Sequence, residues 1–309
     1  MRINITLASL FLSLIFSLLF QEAKAADTIP SDNSPGINRK RMTGLIAGGV
    51  LLYGGSMTGL YHLWYKDYAR DTFHFINDNN EWLQMDKAGH SFTAWYVGYL
   101  GYEAMRWAGA GNTEAACYGG SLGFAYLTVI EILDGFSAGW GASGGDLIAN
   151  GLGSAAFIGQ QLVWKEQRLL LKWSFHPTEY AQYRPALLGN TIAERAIKDY
   201  NGQTVWVSAN IHSFLEKESG FPAWLNVAFG YGADGMTGAR SNPDFYGGNA
   251  LPHFERRRQF YLAPDIDLTR IKTSSPFLKK VLKTAGFLKV PLPALEFSKK
   301  GLKFHPLYF

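Results

Sequence analysis

The chain has 309 residues, of which 47% are hydrophobic, 15% aromatic and 17% charged, and its formal net charge is +4. This composition excludes a disordered chain, and the single cysteine excludes a disulfide scaffold. The low charged share is typical of a protein at a membrane, but a mean hydropathy of −0.06 is too polar for a chain made mostly of bilayer-spanning helices.

The N-terminal segment has the pattern of a secretory signal peptide. Residues 1–25 contain Arg2, then an apolar run, and end in the small-residue pattern Ala23-Lys24-Ala25. No cysteine lies near this cleavage site, so the pattern does not indicate a lipoprotein anchor. Residues 26–41 are polar and end in three basic residues, which predicts a flexible leader. We therefore expect an exported protein.

Four long apolar stretches follow, at residues 42–64, 88–108, 115–133 and 147–164. They are too long for strands, so they predict a bundle of about four long helices within a domain of residues 42–175. The recurrence of glycine, as at Gly119 and Gly123, permits close helix contacts. The loops between these stretches are mainly acidic, which conflicts with a simple four-span inner-membrane topology.

The remaining part, residues 176–309, predicts a β-rich region, which makes the fold class α+β. Alternating or short apolar runs predict strands near residues 205–211, 225–232, 259–271, 294–298 and 302–309. The Asn201-Gly202 pair is typical of a hairpin turn, and residues 178–200 predict one amphipathic helix.

The chain ends in Tyr308-Phe309, an aromatic end that outer-membrane barrel strands also carry. Six or fewer predicted strands are too few for the smallest barrels of about eight. The small net charge does not indicate a nucleic-acid partner. We therefore expect the partner to be membrane lipid or another envelope protein.

Seven polar side chains stand at the ends of the predicted helices: Asp86, Lys87, His90, Glu131, Asp134, Asp146 and Asn150. Six of them form pairs three or four residues apart, a spacing that places both members on one helix face: Asp86 with His90, Glu131 with Asp134, and Asp146 with Asn150. Because carboxylates in apolar surroundings are costly unless they are paired, we expect these side chains to converge.

Such a cluster permits two kinds of chemistry. Asp86, His90, Glu131 and Asp146 could hold a divalent cation, although the sequence does not specify the metal. Alternatively, His90 could act as general base or nucleophile, oriented by Asp86, with Lys87 neutralising an anionic group such as phosphate.

A structural interpretation is equally open. In it, the cluster is a buried polar network that locks the helix ends together. Asp146 would then be a helix N-cap, and Lys87 would pair with Glu131 or Asp134.

The spaced motifs also resemble those of a known family. Asp86-Lys87-x-x-His90, Glu131-x-x-Asp134 and Asp146-x-x-x-Asn150 are similar to motifs of the DUF2279 family of YfiM-like envelope proteins, and the segments after residue 180 resemble its long form in Bacteroidota. The helical motifs are also similar to those of VanZ-like membrane proteins, but Asp134 stands where those proteins have Gln, and Trp140 where they have Arg. The resemblance implies an envelope protein with a helical polar cluster.

These observations lead to two hypotheses of function. The first is an exported, membrane-associated protein of the cell envelope, at the periplasmic face or outer membrane, which contacts lipid or a partner through the basic C-terminal half. The alternative is a hydrolase or transferase that acts on a lipid or glycan phosphate through the polar cluster.

Overall fold

A computed structural model describes residues 36–66, 69–216 and 218–309. The predicted signal peptide, and the leader as far as residue 35, lie outside the described residues. Helices make up 49% and strands 23% of the structure, so the prediction of an α+β fold is confirmed. The described chain divides into two compact units: the first comprises residues 36–78 and 90–167, and the second comprises residues 79–89 and 168–309.

The first unit is mainly helical. Its helices are α1 (Arg39–Leu60), α2 (Met85–Trp107), α3 (Asn112–Glu114), α4 (Leu122–Gly135) and α5 (Gly144–Trp164). The first five residues of α2 belong to the second unit. The prediction of helices at the four apolar stretches is confirmed, whereas their arrangement as one bundle stays a prediction. The leader was predicted to extend to residue 41, but α1 already begins at Arg39, because Asn38 accepts a hydrogen bond from the Arg41 backbone and caps the helix.

Glycines bring three of these helices into close contact. A Cβ atom on Gly123 of α4 would lie 2.0 Å from the backbone oxygen of Ala94 in α2, and one on Gly153 of α5 would lie 2.1 Å from that of Ser91. Any larger residue would therefore push the backbones apart. In contrast, Gly55 of α1 faces open space, so the glycines of α1 do not all serve helix contact.

Much of the apolar surface of the first unit is exposed. The helical segments Arg39–Leu60 and Asn112–Gly135 are long and apolar enough to cross a membrane. Within the most apolar 18 residues of each segment, 11% and 33% respectively are buried. The core helix of a soluble protein meets the same criterion of length and composition. Helix α1 still has one packed side, where Ser56 and Leu60 are buried and the rings of Tyr53 and Tyr126 meet edge to face.

A short parallel pair of strands organises the loops beside α4 and α5. Strand β1 (Phe75–Ile76) pairs with β2 (Ala142–Ser143), so that Ile76 is opposite Ser143. Helix α5 begins directly after β2. This pairing fixes Ser143 at the start of α5.

The second unit is built on one antiparallel sheet. Its strands are β3 (Leu169–Phe175), β4 (Gln203–Asn210), β5 (Leu225–Asp234), β8 (Arg257–Ile266), β9 (Leu292–Ser298) and β10 (Gly301–Tyr308), in the order β10-β9-β8-β5-β4-β3. A separate hairpin consists of β6 (Phe245–Tyr246) and β7 (Asn249–Ala250). The five predicted strands are present, although the one predicted over residues 259–271 ends at Ile266. Strands β3, β6 and β7 had not been predicted.

The two faces of this sheet differ in composition and exposure. We call one the outer face; two of its rows run across all six strands, namely Leu171, Val207, Phe229, Leu262, Leu295 and Phe304, and Trp173, Val205, Tyr231, Phe260, Phe297 and Leu302. We call the other the inner face; it carries an aromatic cluster of Trp206, Tyr261 and Tyr308. Its buried polar side chains include Lys172, Ser208, Asn226, Gln259, Asp265 and Glu296. The outer face is exposed at several large side chains, for example 51% at Phe229 and 60% at Phe304, while Trp173 and Tyr231 are half-buried.

The helices of the second unit are short: α6 (Pro185–Leu188), α7 (Ile192–Lys198) and α8 (Pro276–Thr284). The prediction of one helix over residues 178–200 was wrong, because Pro185 starts a new helix and Gly189, with φ of +103°, separates α6 from α7. The Asn201-Gly202 pair lies in a 3₁₀ turn before β4 and does not form a hairpin loop, since β3 and β4 are joined by a long connection.

Candidate functional site

The centre of the candidate site is His90, on the second turn of α2. Its Nδ1 forms a 2.9 Å hydrogen bond with Oδ1 of Asn150, a buried residue of α5. Its Nε2 lies 3.9 Å from Oε1 of Glu131 and 3.9 Å from Oδ1 of Asp146. Ligand atoms of His90, Glu131 and Asp146 all lie within 4.8 Å of one another, so helices α2, α4 and α5 each supply one of them.

Ser143 positions the carboxylates. Its backbone N–H donates a 2.8 Å hydrogen bond to Oε2 of Glu131, and its hydroxyl donates a 2.6 Å hydrogen bond to Oδ1 of Asp78. The same hydroxyl accepts from the backbone N–H of Asp146 at 3.1 Å. Ser143 is therefore the N-cap of α5, and the assignment of Asp146 to that position was wrong, since Asp146 lies in the first turn of the helix.

Burial shapes the electrostatics of the site. Glu131 is only 3% exposed, and this burial raises its pKa to about 7, even though the Ser143 N–H and His90 favour the charged form. The nearby carboxylates of Asp146 and Asp134 raise it further. The single imidazole of His90 therefore cannot balance the negative charge of two buried carboxylates, Glu131 and Asp146.

Asp134 lies one turn beyond Glu131 on α4 and has a different partner. Its Oδ1 accepts a 2.6 Å hydrogen bond from the hydroxyl of Tyr65. Burial raises the pKa of Asp134 to about 6, against the opposing effect of that hydrogen bond. Asp134 is not among the three residues whose ligand atoms lie together. Its contact fixes the end of α4 to Tyr65, which lies in the π-helical turn Tyr61–Tyr65 directly after α1.

The two remaining predicted site residues, Asp86 and Lys87, belong to the second unit. Lys87 Nζ forms a 2.8 Å ion pair with Oδ2 of Asp86 in the first turn of α2. Of the predicted site residues, the first unit therefore brings together His90, Glu131, Asp146 and Asn150.

Sequence reasoning missed three residues of the site: Asp78, Ser143 and Tyr65. Ser143 carried a signal, because Ser143-Gly144-Gly145-Asp146 has a capping residue followed three positions later by an acid, a pattern that starts helices. Asp78 and Tyr65 lie outside the periodic segments, and their spacing in the sequence carries no such signal.

The arrangement permits two kinds of chemistry. The three clustered residues supply one nitrogen and two oxygen ligands, a donor set that holds divalent cations. His90 could also act as a general base, since Asn150 fixes the orientation of its ring. The hydrolase or transferase hypothesis rests on this second possibility and stays a prediction.

Comparison with protein families finds a match to part of the chain. No curated protein and no solved structure matches the chain. Residues 74–159 match the model of a family described as "Predicted periplasmic lipoprotein (DUF2279)". The matched segment contains all seven predicted site residues, and its description is consistent with an envelope protein of unknown activity.

Proposed function

We propose that the protein is an exported protein of the cell envelope that lies against a lipid bilayer through the outer face of its six-stranded sheet. One observation carries this proposal: the outer face is apolar and exposed, whereas the polar side chains of Lys172, Asp265 and Glu296 are buried on the inner face beside its aromatic cluster. Antiparallel sheets in water have the opposite arrangement, with the polar face outside. Apolar-out and polar-in alternation is typical of strands that contact lipid.

The apolar area is large enough to matter energetically. The exposed side chains of the outer face include Val207, Val227, Phe229, Phe260, Leu262, Phe297, Leu302 and Phe304. Each is roughly half exposed, so transferring them from water to hydrocarbon contributes on the order of 10 kcal/mol before the cost of association. A surface of this kind is expected to be covered in the cell.

Basic residues of the second unit fit an anionic head-group layer. Lys299 and Lys300 form the exposed turn between β9 and β10. Helix α8 carries three lysines and exposes Phe277, which is 76% exposed, as well as Val281, and such a helix suits the membrane surface.

The three consecutive arginines before and within β8 have partners inside the second unit. Arg256 donates to the backbone oxygens of Gly238 and Ala239, and Arg257 pairs with Asp234. Arg258 donates to the hydroxyl of Tyr231. The lysines therefore support the head-group contact better than the arginines do.

The open edges of the sheet favour contact with the bilayer surface over a sheet that spans the bilayer. The strand order leaves β10 and β3 at the two edges. An open sheet edge exposes backbone N–H and C=O groups, which hydrocarbon cannot satisfy. The outer face would accordingly enter the boundary between head groups and acyl chains while the edges remain in the polar layer.

Cell fractionation tests the location. We expect the protein in the membrane fraction and its release by detergent. Recovery in the soluble periplasmic pool without detergent would contradict membrane association.

Labelling at alternate positions tests the face. In a Cys117→Ser background, a fluorophore is attached to Leu302→Cys, Lys303→Cys or Phe304→Cys, and quenching by lipids brominated on their acyl chains is measured. We expect quenching at positions 302 and 304, which point to the outer face, and little at position 303, the matched control on the other face. Equal quenching at all three positions, or none in protein that floats with the vesicles, would contradict the proposal.

The more specific sequence resemblances remain predictions within this proposal. They are the kinship with YfiM-like proteins, the long Bacteroidota form and the VanZ-like motif. The match over residues 74–159 supports the family-level likeness and the envelope location.

A further inference from the structure

We infer that His90, Glu131 and Asp146 form a binding site for a divalent metal ion of the Mn²⁺ and Zn²⁺ class. The site lies within the first unit and does not depend on the proposed contact of the sheet with lipid. Three helices supply the three ligands, so binding would also tie α2, α4 and α5 together.

The distances fit an ion rather than direct hydrogen bonds. Nε2 of His90 is 3.9 Å from each carboxylate oxygen, which is too long for a hydrogen bond. Two ligand atoms that are each about 2.1 Å from a common ion are separated by about 3 to 4 Å. The gap between the imidazole and the carboxylates is therefore of the size that a metal ion bridges.

Hydrogen bonds on the far sides of His90 and Glu131 orient the atoms of these two ligands that face the gap. Oδ1 of Asn150 accepts from Nδ1–H of His90, so the lone pair is on Nε2, the atom nearest the carboxylates. Oε2 of Glu131 accepts from the Ser143 backbone and leaves Oε1 on the side of His90. This is the arrangement of outer hydrogen bonds that metal ligands have in proteins.

A second observation is independent of the ligands themselves. Asn150 is fully buried, and its Nδ2 has no hydrogen-bond partner among the described residues. A buried amide donor without an acceptor is costly. Asn150 is one helical turn from Asp146 and in contact with His90, so the oxygen of a metal-bound water would provide the missing acceptor.

The donor set selects the class of metal. One imidazole nitrogen suits Zn²⁺ and its neighbours, and carboxylates suit Mn²⁺ as well. Ca²⁺ prefers about six to eight oxygen ligands, and Mg²⁺ favours carboxylates and water over imidazole. We therefore expect weaker binding of Ca²⁺ and Mg²⁺. A cation would also compensate the buried charge of Glu131 and Asp146.

Calorimetry on the full chain in detergent, stripped with a chelator, tests the site. We expect one Mn²⁺ or Zn²⁺ ion per chain, and at least tenfold weaker binding in His90→Gln, Glu131→Gln and Asp146→Asn. The matched controls His74→Gln and Asp71→Asn lie in the same unit outside the three-residue group, and they should bind as the wild type does. Absence of binding to the wild type, or equal binding by all variants, would overturn the inference.

Asn150→Ala tests the orienting contact separately. It keeps all three ligands, and we expect a loss of metal affinity of about 10- to 100-fold. An unchanged affinity would show that Asn150 does not position His90.

A measurement on the wild type removes the dependence on variants that fold poorly. Mn²⁺ is paramagnetic, so it broadens the NMR signals of nearby imidazoles. Among the seven histidines of the chain, we expect His90 to be broadened first at substoichiometric Mn²⁺. Broadening of exposed histidines before His90, or of all of them equally, would contradict the site.

Discussion

Charged side chains on the inner face of the sheet are stabilised by one another. Lys172 and Asp265 are both fully buried and form a 2.7 Å ion pair, and Lys289 lies 3.6 Å from the same carboxylate. Burial lowers the pKa of Lys289, and Asp265 opposes that change. Removing one partner of a buried ion pair leaves an uncompensated charge and lowers the free energy of unfolding by about 3 to 5 kcal/mol. These contacts therefore favour the one packing of the inner face in which every charge has its partner.

Glu296 illustrates the same balance and makes stability depend on pH. Burial alone would raise its pKa, but hydrogen bonds from Gln259 at 3.0 Å and His305 at 2.8 Å contribute to a net lowering. A lowered carboxyl pKa stabilises the fold above the ordinary value of 4.5, and this contribution is lost as the pH falls below it.

We therefore expect the free energy of unfolding of the wild type to decrease between pH 6 and pH 3 more than that of Glu296→Gln. Urea denaturation at the two pH values measures the difference. The exposed Glu216→Gln serves as control and should keep the pH dependence of the wild type. The same decrease in Glu296→Gln would show that Glu296 does not contribute.

At the scale of elements, the closeness of α2 to α4 and α5 places the site residues. Gly123 and Gly153 allow the backbones of α4 and α5 to touch α2. The ligand atoms of His90, Glu131 and Asp146, one from each of these helices, lie within 4.8 Å of one another. The geometry of the site thus depends on Gly123 and Gly153, which supply no ligand to it but set the distances between the helices.

Gly123→Ala should therefore destabilise the first unit. A new Cβ would lie 2.0 Å from the Ala94 oxygen, so the helices must separate, at a cost of about 1 to 3 kcal/mol. The matched control is Gly55→Ala, which adds the same atom in open space on α1 and should be neutral or stabilising by up to about 1 kcal/mol. Thermal unfolding in detergent, followed by circular dichroism, compares the two. Equal effects would contradict the close contact.

Strands were predicted where apolar and polar residues alternate along the sequence, and β3 was missed because its sequence lacks this alternation. The alternation near β4 indicated a strand, but Leu169-Leu170-Leu171 in β3 is a continuous apolar run without alternation. Alternation also shows only that the two faces of a strand differ. It does not show which face is buried, so the exposure of the apolar outer face could not be predicted.

The site was partly predictable for the same reason. Helical spacing identified Glu131, Asp146 and Asn150, because residues three or four apart lie on one face of a helix. The contact of His90 with Asn150 joins residues sixty positions apart, and local spacing carries no information about it. Burial of the cluster then follows from helix packing, which the sequence shows only through its glycines.

At the scale of the whole molecule, charge is distributed unevenly along the chain. Residues 42–164 contain 4 basic and 10 acidic residues, a net charge of −6, and residues 165–309 contain 20 basic and 12 acidic residues, a net charge of +8. The C-terminal part, which contains the sheet, is therefore the part that anionic lipid attracts.

We expect the rate of binding to vesicles that contain phosphatidylglycerol to fall as NaCl is raised from 0.1 M to 1 M, since the screening length shortens from about 10 Å to about 3 Å. Binding to neutral phosphatidylcholine vesicles should be slower and nearly independent of salt. Stopped-flow fluorescence measures both rates. Replacing Lys299 and Lys300 with glutamine should reduce the salt dependence, whereas an unchanged dependence would exclude these lysines from the contact.

The two edges of the sheet also differ, and this limits how copies of the chain can join. The β3 edge is engaged by its own chain, because the backbone N–H of Lys289 donates to the Trp173 carbonyl oxygen and Leu288 forms a bridge there. Strand addition from another molecule is then favoured at β10. When two chains pair through their β10 strands, neither chain has that edge available for a third chain. Self-association through β10 therefore stops at a symmetric dimer and does not propagate into fibres.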